Sequence, residues 1–184
     1  AEVRFVDENI ERLYDALNQR GLGDNTQKII TADHGEEFID HGDVSHLPKL
    51  YDELIRVPLI IDDPKRSPSE RVEELVSLVD LPVSILRTFD IEPPTSYRGK
   101  PIQDIITDDR QVGRNHVFSE VCHEWGDGVE TGKFDREKMI ITCRTREHKY
   151  ILDNQAGTEG FYNVRENPEE SEEGIGVPAE VKDS

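Results

Sequence analysis

The chain reads as an α/β fold. Helices and short buried strands run through residues 1–112, a small antiparallel sheet occupies 113–164, and an acidic tail fills 165–184. Three observations predict this. An apolar face at helical spacing is followed directly by a strand-like run, the alternation that α/β folds are built from. A polar, glycine-punctuated loop then leads to a second apolar run, Val57-Pro-Leu-Ile-Ile61. Beyond residue 112, four short strand candidates are joined by Gly-, Asp- and Glu-rich turns, as in an antiparallel sheet.

The elements follow in order. Val6, Ile10, Leu13, Tyr14 and Leu17 lie on one helical face, with acids and Arg on the other, and Gly21 is placed to end the helix. Gly23-Asp-Asn-Thr26 is a turn, and Lys28–Thr31 a buried strand. Residues 36–43 are too polar for a core element. Pro48 opens a short helix running through Leu54. Val57–Ile61 is the second strand, and Asp62–Ser69 a surface turn. Glu73–Val79 reads as helix or mixed structure. Pro82–Phe89 reads as a helix that turns Val83, Leu86 and Phe89 inward, broken by Asp90-Ile-Glu-Pro-Pro. The later strands are Val117–Val121, Met139–Cys143, Lys149–Leu152 and Phe161–Val164. No internal repeat is visible.

The densest chemistry lies in Thr31–His46. It holds His34, His41 and His46, half of the six histidines in the chain, together with Asp33, Glu36, Glu37, Asp40 and Asp43. Adjacent Asp33 and His34 can reach one divalent cation if the chain turns sharply, and Gly35 permits the turn. A strand ending in Asp-His-Gly puts such ligands at the carboxyl edge of a sheet, where open α/β sheets bind their ligands.

This segment also carries a resemblance. Thr31-Ala-Asp-His-Gly-Glu-Glu-Phe38, then Asp40-His-Gly42, His46 and Leu50-Tyr-Asp-Glu-Leu-Ile-Arg-Val-Pro-Leu-Ile-Ile61 resemble the sulfatase family of the alkaline phosphatase superfamily. The flanks agree: Val6–Thr26 resembles the helix and loop leading into that family's site. Val76–Pro82 with Gly99–Ile102 resembles its next helix and loop, and Thr142–Ile151 with Phe161–Glu170 its C-terminal strands. The resemblance implies a mixed sheet with helices on its faces. It covers the C-terminal part of such an enzyme.

By the resemblance, a cation or cation pair is held by acids from two places in the chain, and Asp33 and His34 supply one of them. Calcium is the family's common metal; an imidazole ligand leans toward manganese or zinc. His46 stands where a basic residue contacts the sulfate and assists proton transfer to the leaving group. Many relatives have Lys there, so Lys49 competes for the role, and the spacing to Leu50-Tyr-Asp-Glu favours His46. His41 is assigned to shaping the loop, with substrate contact as the alternative. Arg56 is read as a structural partner of Asp52 or Glu53. The family's nucleophile is a Cys or Ser in Cys/Ser-x-Pro/Ala-x-Arg, oxidised to formylglycine. Cys122-His-Glu-Trp-Gly and Cys143-Arg-Thr-Arg-Glu do not match, and Ser67-Pro-Ser-Glu-Arg71 has Ser at the Pro/Ala position. The expectation is therefore the C-terminal portion of a metal-dependent hydrolase of small-molecule or carbohydrate sulfate esters, inactive in isolation. The nucleophile and remaining ligands would come from a missing N-terminal half, whose loss would invite self-association. The alternatives are a phosphodiesterase, phosphonate hydrolase or phosphotransferase of the same superfamily, and a non-catalytic acidic interaction module.

Composition narrows the partners. The 184 residues carry 40 acids against 22 bases, eight of them Lys, for a formal net charge of −18, and 34% are hydrophobic. That suits a salt-rich cytoplasm, where carboxylate repulsion is screened. It argues against nucleic acid, whose phosphates need clustered Lys and Arg. No run approaches the ~20 apolar residues of a membrane span. The chain opens on an amphipathic pattern without a signal peptide. Cys122 and Cys143 read as two reduced thiols.

Overall fold

The computed structural model describes residues 2–65, 71–105, 114–122 and 135–171. Two compact units emerge, one spanning Ala1–Ala32 and Pro58–Arg71, the other Asp33–Val57 and Val72–Ser184. This division cuts the chain differently from a boundary at 112/113.

In the first unit, helix α1 spans Glu2–Gln19. Gly21 follows it at φ +67°, the left-handed conformation that lets a chain leave a helix without a Cβ clash. Strand β1 (Lys28–Thr31) pairs antiparallel with β4 (Leu59–Asp62), Ile29 opposite Ile61 and Ile30 opposite Ile60. Lys28 bridges to Asp62 across the pair at 2.8 Å, and its ammonium lies 4.9 Å from the centre of the Tyr14 ring. The helix buries none of its residues, and Val3, Phe5, Val6 and Leu13 stand exposed. The apolar face is legible in the sequence; among the described residues of this unit nothing covers it fully.

The second unit holds two antiparallel sheets. Strands β2 (Glu37–Phe38) and β3 (Val44–Ser45) form a hairpin, with β2 inside the stretch 36–43 expected to be loop and β3 just beyond it. Helix α2 spans only Asp52–Ile55, with Tyr51 as its cap, so Pro48 does not start it. Residues 71–79 form no regular element. Helix α3 spans Asp80–Thr88 and buries Val83, whereas Phe89 is 69% exposed; Asp90 at φ +56° turns the chain away there. A short helix α4 (Ile102–Ile105) buries Ile102 and Ile105.

The larger sheet has the order β5-β6-β7-β8, all antiparallel: Val117–Cys122, Met139–Arg144, His148–Asp153 and Thr158–Asn163. Paired residues share a face, so Thr142, Ile151 and Gly160 align on one side, as do Arg144, Lys149 and Tyr162. That side is the buried one: Ile140, Thr142, Lys149, Gly160 and Tyr162 are all inaccessible. Cys122 and Cys143 are both free thiols. The stretch after β8 continues in ordered turns, and Glu170 is only 3% exposed, so the tail expected from 165 onward is packed through this residue. Residues 172–184 lie outside the described residues. Among the described residues no helix is long and apolar enough to cross a membrane.

Candidate functional site

The loop that follows β1 is built around a buried acid. Gly35 comes first: its N–H donates to the Leu54 carbonyl at 2.8 Å, and a Cβ added here would overlap the Glu53 carbonyl. The glycine is required by close approach to α2, not by a turn of unusual φ. Glu37, fully buried, accepts from the His41 and Asp43 amides at 2.9 and 2.8 Å and from Lys49 Nζ at 3.0 Å. Burial pushes its carboxyl up, but the two amides and the Lys49 ammonium outweigh that and hold it below the usual carboxylate range. Lys49 also donates to the His41 carbonyl at 3.0 Å and bridges Asp43 at 2.7 Å. Its three donors are thus committed, and burial is outweighed by the two carboxylates, which raise its pKa. Lys49 is spent on the loop, which leaves His46 as the basic group facing outward.

Asp33, His34 and His46 present the opposite situation. The Asp33 side chain is 91% exposed and that of His34 46%. His34 Nδ1 lies 2.8 Å from the Gly35 carbonyl, an acceptor, so Nδ1 carries the proton and the Nε2 lone pair is available. That Nε2 lies 3.9 Å from Asp33 Oδ2, a span that two ligands on one cation bridge with bonds of about 2.0–2.4 Å. The donor set, one imidazole nitrogen with its outer hydrogen bond already in place and one free carboxylate oxygen, fits a divalent cation. The rings of His34 and His46 lie side by side, centroids 4.4 Å apart. Glu36 approaches His46 Nδ1 at 3.5 Å. Among the described residues no group of three or more His, Cys, Asp or Glu side chains is drawn together to hold a metal. Asp33 and His34 therefore offer two donors of a first shell.

Behind the loop lies an ionic cluster that sequence reasoning did not find. Asp52 is gripped by Arg144, with contacts of 2.9–3.2 Å, and by Lys149 at 3.0 Å. Lys149, completely buried, also meets Glu170 at 2.8 Å, and Glu170 accepts the Asp52 amide at 2.7 Å. His41 stacks on Tyr51, ring centroids 3.6 Å apart. Its Nδ1 meets Glu53 at 2.7 Å and its Nε2 the Glu170 carbonyl at 3.2 Å. His41 is thus held between helix α2 and the C-terminal segment. Among the described residues no ion pair joins the Arg56 side chain to Asp52, which Arg144 and Lys149 hold, or to Glu53, which His41 holds; Arg56 meets Asp52 only through its backbone N–H, which donates to the Asp52 carbonyl at 2.8 Å. No local signal distinguishes Glu37, Lys149 or Glu170 from the many solvated charges of an acidic chain. Of the Ser67–Arg71 segment weighed above, residues 67–70 lie outside the described residues.

Comparison with known proteins gives the following. Residues 1–91 match the family described as Sulfatase. The uncharacterized sulfatase YidJ of Escherichia coli is 37% identical over 149 residues, covering 79% of this chain and 29% of its own length. An N-acetylglucosamine-6-O-sulfatase of Bacteroides thetaiotaomicron is 32% identical over 172 residues, covering 92% of this chain and 30% of that protein. In structure, a phosphonate monoester hydrolase from Silicibacter pomeroyi superposes with a TM-score of 0.78 at 25% identity, over 97% of this chain and 36% of its own. The chain spans about a third of the length of the curated relatives it matches.

Proposed function

From the premise that this chain belongs to the sulfatase family, with the α/β fold of the alkaline-phosphatase-like enzymes, we propose that it is the C-terminal portion of a metal-dependent hydrolase of sulfate esters. Asp33 and His34 are two of the metal ligands, and His46 contacts the sulfuryl group and passes a proton to the leaving oxygen. One observation carries this reading. In a loop where Glu37 and Lys49 neutralise each other and His41 is taken up by Glu53 and the Glu170 carbonyl, Asp33, His34 and His46 stay exposed and adjacent, with His34 Nε2 free to ligate. A divalent cation held there neutralises charge on the group being transferred and favours an ionised nucleophile. Calcium is the first candidate, manganese or zinc the alternative. The nucleophile and the opposing acids come from sequence outside these 184 residues, since no Cys/Ser-x-Pro/Ala-x-Arg motif occurs in them. A sulfated carbohydrate is the favoured substrate class, because the Bacteroides relative is named for a sulfated sugar.

A second reading has its own support. The likeness to a phosphonate monoester hydrolase favours phosphoryl over sulfuryl transfer at the same ligands. Calorimetry tests what the two readings share. The chain should bind calcium or manganese weakly, with Asp33→Ala removing the heat. Nitrophenyl sulfate and nitrophenyl phenylphosphonate should both be left intact by the chain alone. Metal binding indifferent to Asp33→Ala would place the cation elsewhere on the acidic surface. Turnover lost in His46→Ala would show that the nucleophile is present after all.

A further inference from the structure

We propose that Glu37 is a positioning residue for this site, holding His46 against the Asp33–His34 pair from beneath the loop. The inference rests on the assignment of those three residues above. Its grounds are geometric. Glu37 lies between the pair and His46 in sequence, and its side chain is fully buried while theirs are exposed. In the hairpin it stands opposite Ser45, the residue immediately before His46. Ser45 has φ +94° and Ile39 φ +76°, values that side chains with a Cβ seldom adopt. Such backbone persists only where its surroundings over-determine it. Here Ile39 donates to the Asp43 carbonyl at 2.8 Å and Phe38 to Asp40 at 3.0 Å, and the one buried group among the surroundings is the Glu37 carboxylate. Glu37 Oε1 accepts both the His41 and the Asp43 amide, closing the chain reversal between the strands. Lys49, three residues beyond His46, returns to the same carboxylate. Both arms of the segment that carries His46 are therefore tied to Glu37, and the Ser45 conformation that directs His46 toward His34 is the consequence.

A glutamate that merely supported the fold would leave the two imidazoles together whenever the protein remained folded. Nuclear magnetic resonance of the 184-residue chain separates the cases. In the unsubstituted protein the His34 and His46 rings should show a through-space contact. Glu37→Gln should abolish it while the cross-strand contacts of β5–β8 persist. A ring contact that survives in folded Glu37→Gln overturns the inference. If that variant does not fold, Glu37→Asp keeps the charge but withdraws it from the two amides by one methylene. It should weaken the same contact several-fold, and an undiminished contact again overturns the inference. Manganese(II) adds a second measurement: it should broaden both rings in the unsubstituted chain, but only His34 in Glu37→Gln. Equal broadening in the variant counts against the role of Glu37. Manganese that broadens neither ring in the unsubstituted chain defeats the metal assignment instead. The metal-free ring contact then decides on Glu37 alone.

Discussion

Ile39 is a β-branched residue at φ +76°, 69% exposed, and gives up almost no packing if its side chain is removed. Left-handed backbone costs a residue with a Cβ about 1–3 kcal/mol, more than the roughly 0.5–1 kcal/mol of extra chain entropy that glycine brings. Ile39→Gly should therefore stabilise the protein by about 1 kcal/mol in denaturant titration; a loss of stability would mean that Ile39 makes contacts worth more than its strain. Asp52 governs a different dependence. Burial raises its pKa, but Arg144 and Lys149 outweigh burial and hold it below the usual carboxylate range. The unfolded chain takes up that proton first, near pH ~3.9. The stability Asp52 contributes is thus complete above about pH 4 and is lost as pH falls through the lowered folded value. Glu170 has the opposite sign. Burial, the largest influence, raises its pKa, so its share is present at low pH and lost as pH rises through the raised value. Unfolding free energy measured from about pH 6 to about pH 3 should fall less steeply in Asp52→Asn than in the unsubstituted chain. Parallel slopes would assign the acid sensitivity to other carboxylates. At this scale Asp33 and His34 stand out as candidate ligands, because Asp-His-Gly after a strand is a local pattern, while His46 is singled out only by the family resemblance. Lys149 and Glu170 do not stand out, because their meaning comes from partners 97 and 118 residues away.

Strands β6 and β7 are the interior pair of the four-stranded sheet, flanked on both sides, whereas among the described residues β1 and β4 pair only with each other. A two-stranded ribbon is marginal in water, while three or more strands with a buried face sustain themselves. Hydrogen exchange should accordingly be slowest at the ladder amides of Ile140–Cys143 and Lys149–Leu152, and faster at Ile29–Thr31 and Ile60–Asp62. The reverse order would show that β1 and β4 gain protection from something other than their mutual pairing. The same contrast explains which elements were legible. Strands β5–β8 alternate buried and open positions, and their turns are rich in Gly, Asp and Glu, so period and punctuation agree. Helix α1 likewise announces itself by its spacing, though not the exposure of its apolar face. The failures lie where tertiary contacts override local preference. Glu73–Val79 has helical composition but no regular structure. Phe89 falls on the helical stripe yet faces solvent, because Asp90 at φ +56° ends the helix beneath it. Strand β2 reads as loop in the sequence because Glu37, its buried member, is the most polar kind of residue a strand can hide.

Across the whole molecule the 40 acids and 22 bases set the response to salt. At low ionic strength the excess carboxylates repel one another, and at 1 M salt a Debye length of ~3 Å confines that repulsion to near neighbours. The buried pairs at Glu37 and Lys149 are shielded from solvent and should be little affected. We expect the thermal midpoint to climb with potassium chloride into the molar range. A midpoint that is flat from dilute buffer upward would dissociate the composition from salt adaptation. The grip of Glu170 on the Asp52 amide has one more consequence, which concerns time. A ribosome adds about 5–20 residues per second, so the 118 residues between these two groups take roughly 6–24 s to make. The loop with its histidines leaves the exit tunnel early, while the lysine and carboxylate that brace it from behind are still unmade. Until Glu170 emerges, the Asp52 amide and the His41 Nε2 lack the partners that the folded protein gives them. The loop is thus translated well before the residues that lock it, and the nascent chain carries its chemistry before it can hold that chemistry still.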